Sequence, residues 1–346
     1  MFENLIKWSK KEYSHLPWRI NRTLYTTLVS EIMLQQTTVP TVINKFGPFL
    51  KKYPTLKKLS KATDEEVCIA WKGLGYYSRA RNLKKAAIDI VANHQGKIPT
   101  DYLTLKKLTG IGEYTANALL SIGHKKLHLA LDANIERVLC RYLGLKLNKG
   151  PQLKKELSAH LEKTRFTAKL NGICPRELNE ALMDLGRVYC QANKVECSKC
   201  HLRTKCKAYK TKDPLAYPVA IKKEKKFYNL ELLRVVLIER GKVLVHKRKK
   251  GQWLTDQWEL PTFILSTDDE KLAQYPRLNK KLKLIGKLEF KSTITKYKIR
   301  NRVVKMTLKE FRKEIPLSLK FEFITLDTTG QNFTTATLKV LNHEIF

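Results

Sequence analysis

The feature that most constrains the fold of this chain is a group of four cysteines within seventeen residues. Cys190, Cys197, Cys200 and Cys206 have the spacing C-x6-C-x2-C-x5-C. Four thiolates on one short segment can surround a single soft metal centre. Zinc is the simpler alternative, but structural zinc sites commonly arrange their ligands as two close pairs. One close pair flanked by two single cysteines favours a [4Fe–4S] cluster.

The charge of the chain points to a polyanionic partner. Its 346 residues include 67 Lys plus Arg against 32 Asp plus Glu, which gives a formal net charge of +35. Such a field attracts DNA or RNA, although a lysine-rich proteome would produce the same excess. We find no apolar run that could span a bilayer and no signal peptide, and we expect a reducing, DNA-containing compartment and no membrane partner.

The periodicity divides the chain into a helical and a β-rich region. Apolar residues recur at helical spacing in Leu24–Leu34, Val39–Leu50, Ala80–Ala92, Tyr114–Ile122 and Asn134–Leu143. From about Leu230 two β-rich runs flank an Arg-Gly turn, and alternating, β-branched residues follow. The charged, proline-containing segment 213–227 has the composition of a linker. We therefore expect a mainly helical region over 1–212 and a smaller α+β domain over 228–346.

Residues 105–123, LKKLTGIGEYTANALLSIG, predict two helices joined by a tight turn at Gly110 and Gly112. Two glycines allow a sharp turn and a close approach to another molecule. The start of the second helix offers free N–H groups to a phosphate. Asp132 follows twenty residues after Gly112, just before another predicted helix, where its carboxylate could also be only an N-cap.

The hairpin, the aspartate and the cysteine segment together resemble the helix-hairpin-helix DNA glycosylases that carry an iron–sulfur cluster. Within that superfamily the chain resembles the MutY-type adenine DNA glycosylases over residues 5–210. The other matching segments are PWR at 17–19, SEIMLQQT at 30–37, GLGYYSRARNL at 73–83, LDANIERVL at 131–139 and LNEALMDLG at 178–186. The resemblance implies a six-helix subdomain over about 22–130, which contains the hairpin, and an iron–sulfur subdomain formed by 1–21 and 131–212.

The resemblance also implies a catalytic pair. Hydrolysis of an adenine–sugar bond needs an acid for the leaving base and a carboxylate that stabilises the cationic sugar. These roles match Glu31 and Asp132, with Asn134 and Tyr114 orienting the intermediate. As the acid, Glu31 would need a raised pKa, and its apolar neighbours Ile32, Met33 and Leu34 are consistent with partial burial. Its pattern alone favours a solvent-facing helix residue.

Endonuclease III, a bifunctional relative, has at the position of Tyr114 a lysine that attacks the sugar and cleaves the strand. A lysine amine can form the Schiff base that this reaction needs, whereas a phenol cannot. We therefore expect little or no strand cleavage.

Contacts with DNA follow from the same resemblance. An adenine inside a duplex must be flipped out before it can be cut. Gln36, Thr37 and Tyr77 match residues that fill the gap or wedge beside the opposite base, although core packing is the alternative for Tyr77. Arg19 and Glu180 match positions that line the adenine pocket.

The segment 243–261, VLVHKRKKGQWLTDQWELP, resembles the start of the Nudix-like domain with which MutY-type proteins read 8-oxoguanine. The glutamate cluster of a catalytic Nudix enzyme does not follow it, so we do not expect pyrophosphate hydrolysis. In the family, a Phe-Ser-His loop probes the oxidised guanine. Ile294, Thr295 and Lys296 occupy the matching positions, and only Thr295 keeps a hydroxyl.

The sequence therefore predicts a monomeric DNA glycosylase of a bacterial cytoplasm, associated with the nucleoid through DNA and containing a [4Fe–4S] cluster. Its expected substrate is adenine mispaired with 8-oxoguanine or guanine in double-stranded DNA. One alternative is a thymine glycosylase for T·G mismatches, against which the LQQT and GLGYYSRARNL segments argue. The other is a non-catalytic iron–sulfur DNA-binding protein, against which the presence of Glu31 and Asp132 argues.

Overall fold

The computed structural model describes residues 2–166, 170, 172–219, 226–278, 288–315 and 320–344. The chain divides into two compact units, Met1–Lys222 and Lys223–Phe346. The middle of the expected linker, 220–225, lies outside the described residues. In the part of the chain that is described, no helix has both the length and the apolar character to cross a membrane.

The first unit consists of helices joined by short loops. They are α1 (Glu3–Tyr13), α2 (Leu24–Leu34), α3 (Val39–Lys52), α4 (Leu56–Ser60), α5 (Asp64–Ala70), α6 (Ser78–Asn93), α7 (Tyr102–Lys107), α8 (Glu113–Ala118), α9 (Ala133–Leu143), α10 (Pro151–Lys163), α11 (Pro175–Val188) and α12 (Lys207–Lys210). The segments with helical periodicity are confirmed as helices. The stretch from Tyr114 differs in one respect, because α8 continues as a π-helical turn over Leu119–Gly123.

Two hydrophobic clusters stabilise the first unit. One cluster contains buried residues between Leu16 and Leu120 and includes the fully buried Trp71. The other combines Phe2, Leu5 and Ile6 with buried residues between Leu131 and Leu202. Helix α1 therefore packs against α11, far along the chain, rather than against its sequence neighbour α2.

Local sequence signals fix the helices that carry the candidate site. Helix α2 begins at a capping box in which Thr23 and Thr26 exchange hydrogen bonds. Its residues Tyr25 and Thr27–Met33 are all buried, so α2 lies inside the unit and Glu31 is buried with it. Asp132 caps the start of helix α9, and Gly144, directly after its last residue, adopts the left-handed conformation (φ 65°) typical of a helix end.

The second unit contains two sheets and two helices in its described part. Its elements are β1 (Tyr228–Val236), β2 (Ile238–Glu239), β3 (Lys242–Lys247), β4 (Trp258–Glu259), β5 (Thr262–Thr267), β6 (Leu288–Ile294), β7 (Tyr297–Lys305), α13 (Leu308–Glu314), β8 (Glu322–Thr325) and α14 (Thr335–Glu344). One sheet has the order β5-β1-β7-β6, in which β1 and β7 are parallel; the other has β2-β3-β4, with β8 paired to β3. The Arg-Gly turn is confirmed, because Arg240 and Gly241 join β2 to β3 with φ of 48° and 71°.

Candidate active site

A cavity of about 410 Å³ in the first unit has the size of a small-molecule site. Its lining brings together predicted site residues from separate segments of the chain: Arg19, Glu31, Thr37, Tyr114, Asp132, Asn134 and Glu180. The two carboxylates expected to act on one nucleotide, those of Glu31 and Asp132, thus line the same cavity. The other predicted residues, Gln36, Tyr77, Gly110, Gly112 and Thr295, do not line it.

Glu31 has the environment of an acid that works near neutral pH. It is 5% exposed, and this burial raises the pKa of its carboxyl to about 7. The Tyr114 hydroxyl donates a 2.5 Å hydrogen bond to Glu31 Oε2, which opposes the effect of burial on the pKa. The pKa of Tyr114 itself lies well above its usual value because the phenol is buried beside Glu31. The structure therefore excludes the solvent-facing alternative for Glu31.

Asp132 is an N-cap and also a residue of the cavity. Its Oδ1 accepts from the backbone N–H groups of Asn134 and Ile135, at 3.0 and 2.7 Å. Its Oδ2 accepts from Asn134 Nδ2 at 2.8 Å. Burial raises the pKa of Asp132, and these hydrogen bonds act in the opposite direction by favouring the carboxylate. The capping role therefore orients the carboxylate without removing it from the cavity.

The amide of Asn134 is held by a second contact. Arg137 Nη2 donates to Asn134 Oδ1 at 2.8 Å and to the carbonyl of Gly186 at 2.7 Å, and Arg137 Nε donates to the carbonyl of Cys190 at 2.7 Å. Because the Asn134 oxygen accepts from Arg137, its NH2 group faces Asp132. A Cβ at Gly186 would lie 2.5 Å from the Cβ of Asn134, so α9 and α11 can approach this closely only with glycine there.

A network of ion pairs forms another wall of the cavity. Arg19 Nη1 contacts Asp184 Oδ2 at 2.9 Å, and Arg22 Nη2 contacts Glu180 Oε1 at 2.5 Å. The Ser9 hydroxyl donates to the same Asp184 oxygen at 2.6 Å. Our sequence reasoning did not identify Arg22 or Asp184. Asp184 could have been found, because it follows Glu180 by four residues and so lies on the same face of α11.

The apolar part of the lining was also missed. It is formed by Leu16, Trp18, Leu34, Val39, Ile122 and Met183. A flat base needs such surfaces to stack on, while the few polar groups fix its orientation. No periodic signal distinguishes these residues from ordinary core residues, and Trp18 packs edge-on against Phe46 in the first core cluster.

The turn of the hairpin needs only one of its two glycines for conformational reasons. Gly110 has φ of 80°, and a Cβ there would lie 2.6 Å from the Cβ of Asn82. Gly112 has φ of −83°, which any residue can adopt, and a Cβ there would meet no atom within 4 Å. The backbone conformation of the turn therefore requires glycine at position 110, and the close approach of another molecule at Gly112 stays a prediction.

Two loops present residues to solvent beside α2 and α6. Gln36 is exposed and has φ of 53°. Tyr77 is half-buried and packs against the first core cluster. The exposed ring is that of its neighbour Tyr76, which is 62% exposed and has φ of 45°. Sequence reasoning could not separate these adjacent tyrosines, because the backbone conformation at Tyr76 decides which ring faces outward.

The four cysteines of the predicted metal loop, Cys190, Cys197, Cys200 and Cys206, line one small cavity. Arg141 Nη1 donates to Cys190 Sγ at 3.2 Å, a contact that suits a sulfur bearing negative charge. Across the described ranges, no three His, Cys, Asp or Glu side chains are placed to hold a single metal ion. The donor set, four cysteine thiols that line one cavity with a cation beside one of them, has the chemistry of a soft, thiolate-ligated group.

In the second unit, Thr295 and Lys296 form the two-residue turn between β6 and β7. Thr295 is exposed with φ of 50°, which is unusual for a β-branched residue. The Lys296 ammonium lies 3.5 Å from Asp269 Oδ2 and 4.4 Å from the centre of the Tyr228 ring. The turn is therefore held in a defined conformation while its tip stays open to solvent.

Comparison with known proteins places the helical unit in a superfamily. Residues 29–164 match the HhH-GPD superfamily of base excision DNA repair proteins. The chain is similar to the solved structure of a thermostable thymine-DNA glycosylase, with a TM-score of 0.52 and 26% sequence identity. The match covers 60% of this chain and 94% of the glycosylase chain. The fold of the first unit is thus that of the helix-hairpin-helix DNA glycosylases.

Two curated relatives define the family more closely. The adenine DNA glycosylase of Buchnera aphidicola subsp. Baizongia pistaciae is 33% identical over 85% of this chain and 82% of its own length. That of Buchnera aphidicola subsp. Schizaphis graminum is also 33% identical, over 78% of this chain and 72% of its own length. The chain belongs to the adenine DNA glycosylase family.

Proposed function

We propose that this glycosylase removes adenine mispaired with 8-oxoguanine or guanine from double-stranded DNA, by hydrolysis and without cutting the strand. The observation that carries the proposal is the pairing of two carboxyl groups in one cavity. Glu31 has a pKa of about 7 and can hold a proton at neutral pH. Asp132 accepts three hydrogen bonds that favour its charged form. One group can therefore act as the acid while the other stabilises positive charge.

In the proposed reaction, Glu31 donates its proton to a ring nitrogen of the extruded adenine. The bond between C1′ and N9 then breaks, and its electron pair leaves with the base. The Asp132 carboxylate faces the resulting oxocarbenium ion and stabilises it. Water attacks C1′ and gives its proton to the Glu31 carboxylate, which restores the starting state. Tyr114 and Asn134 orient the two carboxyl groups through the hydrogen bonds described above.

The base itself would be held by the side of the cavity that carries the ion pairs Arg19–Asp184 and Arg22–Glu180. Arg19 and Glu180 remain our candidates for adenine contacts, and Arg22 would hold Glu180 in place. Gln36, Thr37 and the hairpin at Gly110 and Gly112 are proposed to contact the duplex. Tyr77 was the expected wedge, but the exposed ring of Tyr76 is better placed to stack on a base. We propose that the protein acts as a monomer.

We propose a [4Fe–4S] cluster as the group bound by Cys190, Cys197, Cys200 and Cys206. The support is the convergence of the four thiols on one cavity with Arg141 beside Cys190. Such a cluster would supply a rigid cross-link for the loop 190–206. The loop itself carries the cations Lys194, Lys199, Arg203 and Lys205, which could then contact phosphates.

We propose that the second unit is a Nudix-like domain that recognises the base opposite the adenine. Its support is a sheet with a parallel β1–β7 pair and an exposed turn at Thr295 and Lys296. With the aromatic and imidazole groups of the family loop absent, preference for 8-oxoguanine over guanine would depend on Thr295 and Lys296.

The main alternative is a T·G-specific thymine glycosylase, because the helical unit has the fold of a known thymine-DNA glycosylase. Purified protein should be incubated with duplexes that carry A·8-oxoG, A·G, A·C and T·G, and then treated with alkali. Release from A·8-oxoG and A·G supports the proposal. Release only from T·G would reject it, and release from none would favour a non-catalytic DNA-binding protein. Strand breaks before alkali treatment would reject a hydrolytic mechanism.

A further inference from the structure

Two loops beside the active site have an unusual backbone. The α2–α3 loop is residues 35–38, and the α5–α6 loop is residues 71–77. The first contains Gln36 with φ of 53°, and the second contains Tyr76 with φ of 45°, directly after Gly75 with φ of 69°. Non-glycine residues rarely adopt this conformation, and they keep it only where their surroundings hold them.

A buried side chain, Arg79 on the first turn of α6, joins them, beside one direct hydrogen bond of 3.4 Å from the Thr37 hydroxyl to the carbonyl of Leu74. It is only 9% exposed. Its Nη1 donates to the carbonyls of Ile32 (2.9 Å), Met33 (3.0 Å) and Gln35. Its Nη2 donates to Thr37 Oγ1 (2.9 Å) and to the carbonyls of Leu74 (2.9 Å) and Gly75 (3.1 Å). One guanidinium group thus contacts the end of α2 and both loops.

The geometry of this contact requires arginine. The last carbonyls of a helix have no partner within the helix, and Arg79 supplies donors to those of α2. A guanidinium is planar and presents its donors as a rigid fork, whereas an ammonium is a point charge with three donors. The rings of Trp71 and Tyr76 also lie 5.7 and 5.5 Å from the guanidinium carbon. The exposed ring of Tyr76 is therefore oriented by the same group.

We propose that Arg79 is a positioning residue that holds Gln36 and Tyr76 in the conformation needed to open the duplex and keep adenine extruded. Without it, the two loops would relax from their left-handed conformations, and the enzyme would have to order them again at each extrusion. Arg79 does not touch the base, so its effect should disappear when the adenine is already unpaired. This inference rests on the proposed contact of the two loops with DNA.

The test compares two substrates under single-turnover conditions. One is a duplex with A·8-oxoG, and the other has the same adenine in a one-nucleotide bulge. For Arg79→Lys and Arg79→Gln we expect excision from the paired duplex to fall roughly 30-fold or more and excision from the bulge to fall less than about 3-fold. The fluorescence rise of 2-aminopurine at the target position, which reports extrusion, should fall in parallel. Thr37→Val, which removes one acceptor of Arg79, should give a smaller change in the same direction.

Lys84→Gln is the matched control, because it removes a positive charge from the same helix at an ion pair with the half-exposed Asp64. It should leave both rates unchanged. An equal loss on both substrates with a lower Tm, or no loss on either, would overturn the inference. Gln36→Ala and Tyr76→Ala separate the two proposals. If these two variants slow excision from the paired duplex more than from the bulge and the Arg79 variants do not, only the role of Arg79 is rejected. If these two variants slow excision from both substrates equally or from neither, the proposed contact of the loops with DNA is itself rejected.

Discussion

The hydroxyl of Tyr114 donates a 2.5 Å hydrogen bond to the carboxyl of Glu31. This bond joins the second helix of the hairpin, α8, to the buried helix α2. Burial raises the pKa of Glu31, and the hydrogen bond from Tyr114 limits that rise, so that the pKa is about 7. The strength of the acid therefore depends on a contact made by the same hairpin that is proposed to bind DNA.

Replacement of Glu31 by Gln should remove catalysis and leave DNA binding intact. Gln is similar in size but cannot give up a proton, and general acids contribute about 10²–10⁴-fold to rate. We expect a fall of that size in the single-turnover rate on A·8-oxoG and a Kd within about 3-fold of the unchanged protein. Glu12→Gln, at an exposed position on α1, is the control. A rate within 10-fold of the original would exclude Glu31 as the acid.

The pH profile should respond to Tyr114. The acid acts in its protonated form, so the rate should fall as pH rises through about 7. The Tyr114 hydroxyl donates to the carboxylate and so lowers the pKa of Glu31. Its removal in Tyr114→Phe should raise that pKa and move the descending limb to higher pH. Single-turnover rates between about pH 5.5 and 9 measure this limb; a midpoint that stays in place or moves downward would contradict the assignment.

The proposed cluster predicts that replacing one of its cysteine ligands and replacing a cysteine outside the loop have different effects on the visible absorbance of the protein. Cys200→Ser should lose the brown colour and broad visible absorbance of the protein, because one of four ligands is removed. Affinity for duplex DNA should fall as well, since the basic loop loses its cross-link. Cys174→Ser is the control: Cys174 is the half-buried N-cap of α11, where serine is well tolerated. Equal absorbance and iron content in both variants would reject the proposed ligand set.

The sequence predicted the helices of the site better than the environments of its residues. Helical periodicity located α2, and periodicity together with the cap at Asp132 located α9, because these signals are local. The apolar neighbours of Glu31 indicated only partial burial, and its nearly complete burial depends on helices that pack around α2 from distant parts of the chain. The ion pair between Arg22 and Glu180 has the same origin. The family resemblance indicated Glu31, and only the fold explains its pKa.

Sequence-based prediction also failed to distinguish two neighbouring residues, Tyr76 and Tyr77. The resemblance singled out Tyr77 within the segment GLGYYSRARNL, in which Tyr76 is its direct neighbour. The left-handed backbone at Tyr76 places its ring in solvent and leaves Tyr77 half-buried. Such a conformation is held by tertiary contacts, here those of Arg79, and has no signature at the residue itself.

The turn at Thr295 leads to a prediction about discrimination between 8-oxoguanine and guanine. Thr295 is exposed at the tip of the β6–β7 turn, and under the proposed match its hydroxyl is the one group of the family's Phe-Ser-His loop that remains in this chain. A hydrogen bond to the lesion would contribute about 0.5–1.5 kcal/mol, which corresponds to roughly 2- to 10-fold in rate. Thr295→Ala should therefore lower the ratio of the A·8-oxoG rate to the A·G rate by that factor, with the A·G rate unchanged. Thr293→Ala, exposed on β6 two residues earlier, should keep the original ratio. If Thr295→Ala slows both substrates equally, the turn contributes to binding in general and does not read the oxidised base.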